Sequence, residues 1–342
     1  MLKEKTLYSL RDISVIPAVS TSIVSRQECI PFRKSIEGRE EWYPLIASPM
    51  DSVLNEFDWK YYWENKISCI IPRTVSIEKR LQLSTKVFCA FSLKEVKEIF
   101  LNSQITDDDR FTNNKQSDEP MKFYVLIDIA NGSMQEEIDL GKNLRVKLGD
   151  KISLMGGNVG NPATYLLYDA AGFDFLRIGV GSGNGCLTST NTSVHFPYAS
   201  LISEISEMKY RYHSSCKIIA DGGMSGYSDI IKSLALGADY VMCGRIFAQA
   251  AKTPDEVGAT LTYRGMSTKG AQAAMGSRQL KTAEGRSLEV TKEYTLKGWV
   301  ENFDSYLRSA MSYCDARSLK EFREKAVCQV ISPNSASQIN DK

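Results

Sequence analysis

The chain has 342 residues, with 42 Lys and Arg against 41 Asp and Glu, a formal net charge of +1 at pH 7. So balanced a charge leaves no global field to draw in nucleic acid or an anionic membrane surface. With 43% hydrophobic and 24% charged residues, the composition fits one large globular domain or two ordinary ones.

No apolar run of membrane-spanning length and no basic-then-apolar start occurs, so neither a membrane span nor a signal peptide is expected and the expected location is cytoplasmic. Only two histidines occur, His195 and His213, which argues against a His-centred hydrolase or a His-rich zinc site. The eight cysteines, at 29, 69, 89, 186, 216, 243, 314 and 328, form no CxxC pair. They read as reduced thiols, mostly buried.

In chain order, residues 1–42 read as an N-terminal cap with a short strand at Ser14 to Pro17. From Tyr43 a rhythm of short apolar runs begins: Tyr43–Ser48, Ile67–Ile71, Lys86–Ser92, Lys122–Asp128, Lys151–Gly156, Phe175–Gly179, Lys217–Asp221 and Tyr240–Gly244. Their near-continuous hydrophobicity suits strands buried on both faces, as in a parallel sheet. Helical spacing falls between them, most clearly at Ile77–Leu83, Leu93–Leu101, Ala163–Ala171, Tyr198–Lys209 and Ser228–Leu236. Eight strands alternating with helices predict an α/β fold, a (β/α)8 TIM barrel over 43–258, rather than an open doubly wound sheet. Glycine and polar residues cluster after each run, where barrel enzymes place their chemistry. Asn102–Met121, rich in Asp, Asn and Ser, reads as a surface loop. Residues 263–297 read as a long loop with room for a hairpin. Helix resumes at Val300–Tyr313 and Leu319–Glu324, and the polar tail from Ser332 is expected to fray.

The informative loops follow the later runs. After the sixth, Gly179-Val180-Gly181-Ser182-Gly183-Asn184-Gly185-Cys186-Leu187-Thr188 surrounds one cysteine with four glycines. Glycine permits positive φ and close backbone approach, so this loop can wrap a ligand and bring the Cys186 thiol to it. Gly222-Gly223 after the seventh run and Gly244-Arg245 after the eighth match the usual barrel phosphate site. Asp221 stands ready to accept from ribose hydroxyls, and Arg245 could clamp phosphate. Asp128-Ile129-Ala130-Asn131-Gly132 follows the fourth run and Gly157-Asn158 the fifth. Each signal alone has a plain structural reading: a glycine pair is usually a tight turn, and a lone cysteine is usually core. The setting of Asp51 could be no more than a helix start. What raises the functional reading is that all fall at strand ends on one inferred face.

These residues carry a resemblance. Ala47-Ser48-Pro49-Met50-Asp51-Ser52-Val53, Gly157-Asn158-Val159, the Cys186 loop with Thr188, Ala220-Asp221-Gly222-Gly223 and Tyr263-Arg264-Gly265-Met266-Ser267 are similar, in order, to motifs of the IMP dehydrogenase/GMP reductase family along nearly the whole chain. The resemblance implies a purine nucleoside monophosphate as substrate, a nicotinamide cofactor, a covalent thioimidate on Cys186 and a homotetramer. It assigns the nucleotide to Ser48, Met50, Arg177, Ser182, Gly183, Asp221, Gly222, Gly223, Gly244 and Arg245, with Tyr263, Gly265, Met266 and Ser267 from an active-site flap over 259–298. It assigns the cofactor to Asp128, Ala130, Asn131, Gly132, Asn158 and Gly179. The carbonyls of Gly181, Gly183 and Cys186 would be those that hold K+ in dehydrogenases. The expected organisation is one catalytic domain over 1–342, closed by C-terminal helices and tail at 299–342.

Within the family, the chain looks closer to the reductase. Pro72 and Lys86 are fourteen positions apart, leaving no room for the paired regulatory (CBS) insert of dehydrogenases. The interval from Met266 to Glu284 lacks the Arg-Tyr pair that activates water. Thr282-Ala283-Glu284-Gly285 is similar to the reductase's Ser-Glu-Gly, which implies a proton relay between Thr188 and Glu284 and NADPH as the reductant. Arg177 and the Gly181-Ser182-Gly183 run are instead dehydrogenase-like, pointing to NAD-dependent oxidation of IMP to XMP as the alternative. Arg73 and Arg245 depart from the family pattern, and a barrel that binds purine nucleotide without turnover is the third reading.

Overall fold

The structure is a computed structural model whose described residues are 4–103, 122–183, 186–276 and 285–340. Outside the barrel, a first strand β1 (Ile13–Ile16) opens the chain. Eight strands follow: β2 (Leu45–Ala47), β3 (Ser68–Ile71), β4 (Phe88–Phe91), β5 (Phe123–Ile127), β6 (Ile152–Val159), β7 (Phe175–Ile178), β8 (Lys217–Asp221) and β9 (Tyr240–Cys243). They pair in parallel in that order and close through β9 on β2, with Leu45 opposite Val241 and Ala47 opposite Cys243. This is the expected (β/α)8 barrel.

Strand alternation divides the apolar residues between two layers. Ile46, Ile70, Phe88, Ala90, Leu126, Met155, Phe175, Ile219 and Met242 form one buried cluster, filling the barrel interior. Their immediate neighbours, such as Leu45, Ala47, Cys69, Ile71, Cys89, Phe91, Ile218 and Ala220, belong to a second cluster packed beneath the helices. Each fully buried Phe or Ile in these layers contributes about 1.5–3 kcal/mol.

The N-terminal mouth is plugged from outside. Ile36 joins the interior cluster, the Ser68 hydroxyl donates to Glu37 Oε2 at 3.1 Å, and the Tyr124 and Tyr240 phenols donate to the carbonyls of Glu37 and Lys34 at 3.1 and 2.7 Å. Just outside that mouth, Asp239 (1% exposed) sits among Arg33, Lys209 and Arg323.

After the barrel come β10 (Ala250–Ala251), β11 (Thr260–Arg264), β12 (Ser287–Thr291), β13 (Tyr294–Thr295) and β14 (Val327–Val330). β11 and β12 form an antiparallel hairpin, with a helix at Lys269–Ala274 between them. The helices Leu296–Tyr313 and Leu319–Lys325 follow. β14 pairs with β1.

Several local expectations change. The N-terminal strand spans Ile13–Ile16, one residue before its expected place. The second half of Leu93–Leu101 is a π turn. The tail expected to fray instead forms a helix at Pro333–Asn340, entered by proline, whose missing N–H costs nothing in a first turn. The helix Gln135–Leu148 was not anticipated. Gly141 interrupts its apolar stripe because a Cβ there would lie 2.0 Å from the Phe173 ring. Most of Asn102–Met121 lies outside the described residues. Among the described residues, no helix is long and apolar enough to cross a membrane.

Candidate active site

The loops at the C-terminal ends of the barrel strands surround a cavity of about 740 Å³. Its wall includes Cys186, Thr188, Arg177, Asp221, Asp128 and Asn158, residues contributed by β5 to β8 and the loops that follow them.

The Cys186 loop begins where β7 ends. Gly179 has φ +121°, and a side chain there would meet the Asp221 carbonyl at 2.6 Å; Gly181 has φ +74°, and its Cβ would lie 2.7 Å from Ser189. Both positions need glycine for conformation and for space. The loop thus turns back on itself and delivers Cys186 just ahead of the helix Thr188–Thr192. The Cys186 thiol donates to Thr188 Oγ1 at 3.3 Å. Its backbone forms a β-bridge with Gly285, the residue after Glu284. Glu284 itself, like Asn184 and Gly185, lies outside the described residues. Cys186 is the cavity's one cysteine among the described residues. Cys69, Cys89, Cys216 and Cys243 are fully buried, and burial pushes their thiols well up, away from the reactive thiolate.

Two glycines after β8 bring a second loop against the first. Gly222 and Gly223 have φ +94° and +80°, and a Cβ on Gly223 would lie 2.8 Å from the Ser182 carbonyl. The Ser182 hydroxyl donates to the Asp221 carbonyl at 3.3 Å. Gly244 follows β9, where a Cβ would approach the Tyr263 hydroxyl at 2.8 Å and Met50 Sδ at 3.0 Å, with Ser48 Oγ at 3.6 Å. Burial pushes the Tyr263 phenol up to about 12, so it stays protonated. Arg245 is exposed at the cavity wall. Gly265, Met266 and Ser267 line the same side from the end of β11, and an Arg264–Asp51 ion pair ties that strand to the loop after β2. Asp51 is therefore more than a helix start.

The charges at the centre are arranged around Arg177, which is 4% exposed. Its guanidinium lies 3.0 Å from Asp128 Oδ1 and donates to the Gly157 carbonyl at 3.0 Å. It also stands 3.6 Å from Asp221 Oδ2. The Asn158 amide donates to the same Asp221 oxygen at 2.7 Å. Burial pushes the Asp221 carboxyl up, against the opposing pull of Arg177 and the Asn158 amide. Arg73 approaches Asp128 from the far side, donating to its carbonyl at 3.3 Å with the carboxylate at 3.8 Å. One buried arginine thus couples the carboxylate after β5 to the carboxylate ending β8.

Most sequence-derived site residues meet at this cavity, including Ala130 and Gly179. Asn131 and Gly132 do not line it. The Asn131 side chain turns to accept from the Ser133 N–H at 3.1 Å, and Gly132 N–H is spent on the Asn158 carbonyl at 2.8 Å. Of the carbonyls named for a cation, that of Gly181 accepts from the Ser189 hydroxyl at 2.8 Å and that of Gly183 from the Cys186 N–H at 2.9 Å. Sequence reasoning missed Ser92, Leu93, Lys94, Gln272 and Met275, which also line the wall. For the first three a signal existed: Ser92 caps a helix directly after β4, with Glu95 closing the capping box.

The chain matches the family model described as IMP dehydrogenase / GMP reductase domain over residues 9–340. Among curated relatives, a GMP reductase of Staphylococcus epidermidis is 28% identical over 326 residues, 93% of this chain and 94% of that protein. GMP reductases of Oceanobacillus iheyensis and Shouchella clausii are 26% and 27% identical, with the same coverage of 93% and 94%. With the barrel and the order of its site loops, the match over nearly all residues shows that the chain belongs to the IMP dehydrogenase/GMP reductase family.

Proposed function

We propose that the protein is a purine nucleotide reductase that converts GMP, or a closely similar nucleotide, to IMP and ammonia with NADPH. The observation that carries this reading is the cavity-lining Cys186 thiol, 3.3 Å from the Thr188 hydroxyl and bridged to Gly285. The turns at Gly222-Gly223 and Gly244, with Arg245, hold the 5′-phosphate, and Asp221 accepts from the ribose. Binding at these remote groups fixes the purine C2 over sulfur, so attack becomes effectively intramolecular. The Cys186 thiolate forms an S–C2 bond. Thr188, backed by Glu284, delivers a proton to the exocyclic amine, whose C2–N bond breaks to release ammonia. The S–C2 bond then breaks, and Cys186 regains its thiolate.

Reduced nicotinamide, when bound, supplies the hydride that C2 gains. The residues that would hold it fit the group: Leu93, Ile129 and Ala130 offer apolar surface, and Arg73 and Lys94 supply cations for its phosphates. Gly181, Gly183 and Cys186 keep carbonyl lone pairs for K+. We read residues 1–42 as the cap, 43–258 as the catalytic core, 259–298 as the flap and 299–342 as the closing segment of one unit, a homotetramer in the cytoplasm. Arg177 and the Gly181-Ser182-Gly183 run favour a second reading, oxidation of IMP.

Mixing the protein with GMP and NADPH tests the first reading. Loss of reduced-cofactor absorbance with ammonia release is expected; gain of absorbance from IMP and NAD would support the second. Cys186→Ala abolishes turnover while nucleotide affinity stays within a few-fold. Retained turnover would refute the nucleophile.

A further inference from the structure

Behind the cavity wall lies a carboxyl that the chemistry above does not use. Glu137, on the helix Gln135–Leu148, is 0% exposed. It reaches the backbone of β6 because Gly156 has no side chain; a Cβ there would lie 2.8 Å from Glu137 Oε1 and 2.6 Å from the Tyr168 ring. Glu137 Oε1 accepts from the Gly157 N–H at 3.2 Å. The Tyr168 phenol touches Glu137 Oε2 and also lies 2.7 Å from the Gly132 carbonyl.

Counting protons decides the state of this group. A phenol has one proton to give, and a carbonyl or carboxylate oxygen can only accept. Were Glu137 ionised, the single Tyr168 proton would have two claimants, and one buried acceptor would lose its donor. As a neutral acid, Glu137 donates to the Tyr168 oxygen, Tyr168 donates to Gly132, and every group is satisfied. Among charged neighbours, Arg177 on β7 favours the ionised form and Asp128 after β5 opposes it. Burial is the largest influence and pushes the carboxyl up to about 8.

We propose that Glu137 is a positioning residue that holds a proton at neutral pH. With Tyr168 it clamps two neighbouring site loops, through the Gly132 carbonyl after β5 and the Gly157 N–H in β6. The next residue, Asn158, carries the amide that donates to Asp221. Through that link the clamp sets the ribose-accepting carboxylate. Ionisation as pH rises leaves the Gly157 bond in place but draws the Tyr168 proton away from the Gly132 carbonyl. Gly132, whose N–H holds the Asn158 carbonyl at 2.8 Å, is loosened, and with it Asn158 and nucleotide binding. The activity readout rests on the reductase reading; the stability readout does not.

The decisive variant is Glu137→Gln, which copies the neutral acid: its Nε2 donates to Tyr168 and its Oε1 accepts from Gly157. Because the folded-state value is raised, the stabilisation is complete below the ordinary carboxyl range and is lost as pH rises through about 8. The melting temperature of Glu137→Gln should therefore gain on that of the unsubstituted protein between pH 6 and pH 9. GMP turnover at pH 7 should stay within about threefold, while the alkaline decline in kcat/KM disappears. Tyr168→Phe, which keeps the ring and removes only the relay, should raise KM for the nucleotide about tenfold or more at pH 7. Parallel melting curves, or a tenfold loss of turnover by Glu137→Gln at pH 7, would overturn the proposal. If neither protein turns over any purine nucleotide, the function reading fails, and the melting curves still decide the clamp.

Discussion

Replacing Arg177 by methionine keeps most of the side-chain volume and removes the charge that couples Asp128 to Asp221. At an effective dielectric near 20, attractions across 3.0 and 3.6 Å are worth about 5 kcal/mol each before desolvation is subtracted. Breaking a buried pair by removing one partner costs about 3–5 kcal/mol net. Asp128 keeps Arg73 at 3.8 Å, so the larger effect falls on Asp221. Burial already pushes its carboxyl up, and Arg177 is the main influence holding it down. Without the guanidinium, Asp221 retains a proton to higher pH and loses one acceptor for the ribose that it is proposed to hold. A hydrogen bond to a charged group is worth about 1.5–3 kcal/mol, so nucleotide affinity should fall about 10- to 150-fold at neutral pH. Raising the pH re-ionises Asp221 and should recover part of that loss. Calorimetric titration with GMP across pH 6–9, beside urea unfolding, measures both effects. A loss that does not vary with pH, or a stability change under about 1 kcal/mol, would refute this account of the charges.

Two other substitutions test the frame. Gly157→Ala places a Cβ 2.3 Å from the Arg177 carbonyl at φ +101°; it should cost about 1–3 kcal/mol in urea unfolding and raise KM for the nucleotide, whereas a silent change would mean that β6 is not held as described. Asp239→Asn removes the buried charge that the half-buried Arg33, Lys209 and Arg323 surround at the end of the barrel away from the cavity, and should cost about 3–5 kcal/mol with turnover per folded molecule unchanged. Burial alone would raise the Asp239 carboxyl, but Lys209, Arg323 and Arg33 outweigh it and hold it well below the usual range. Its stabilisation is therefore present above the ordinary carboxyl value and lost as pH falls, so the variant should show a shallower acid-unfolding limb by circular dichroism.

The barrel was legible because parallel strands buried on both faces write themselves as unbroken apolar runs. All eight runs became strands of one closed sheet. The helix Gln135–Leu148 was not legible: Glu137 and Gly141 both face inward and erase the periodic stripe. In the site, glycines marked the turns correctly, since positive φ leaves a trace in sequence. Asn131 and Gly132 do not line the cavity, because adjacency to Asp128 does not survive the turn after Ala130. The three-way role of Arg177 left no local trace, since its partners lie 49, 20 and 44 positions away (Asp128, Gly157, Asp221). Only closure of the barrel unites them.

The stopper formed by Ile36, Glu37 and their tyrosine partners bears on traffic as well as on packing. The barrel axis is closed at that end, so the cavity beside Cys186 faces out on the side of the loops that follow the strands. For the nucleotide and cofactor proposed above, sharing that side would mean a queue: the one seated deeper arrives first and departs last. On that proposal, a wall of side chains far from any reacting atom would set the sequence of events at the thiol.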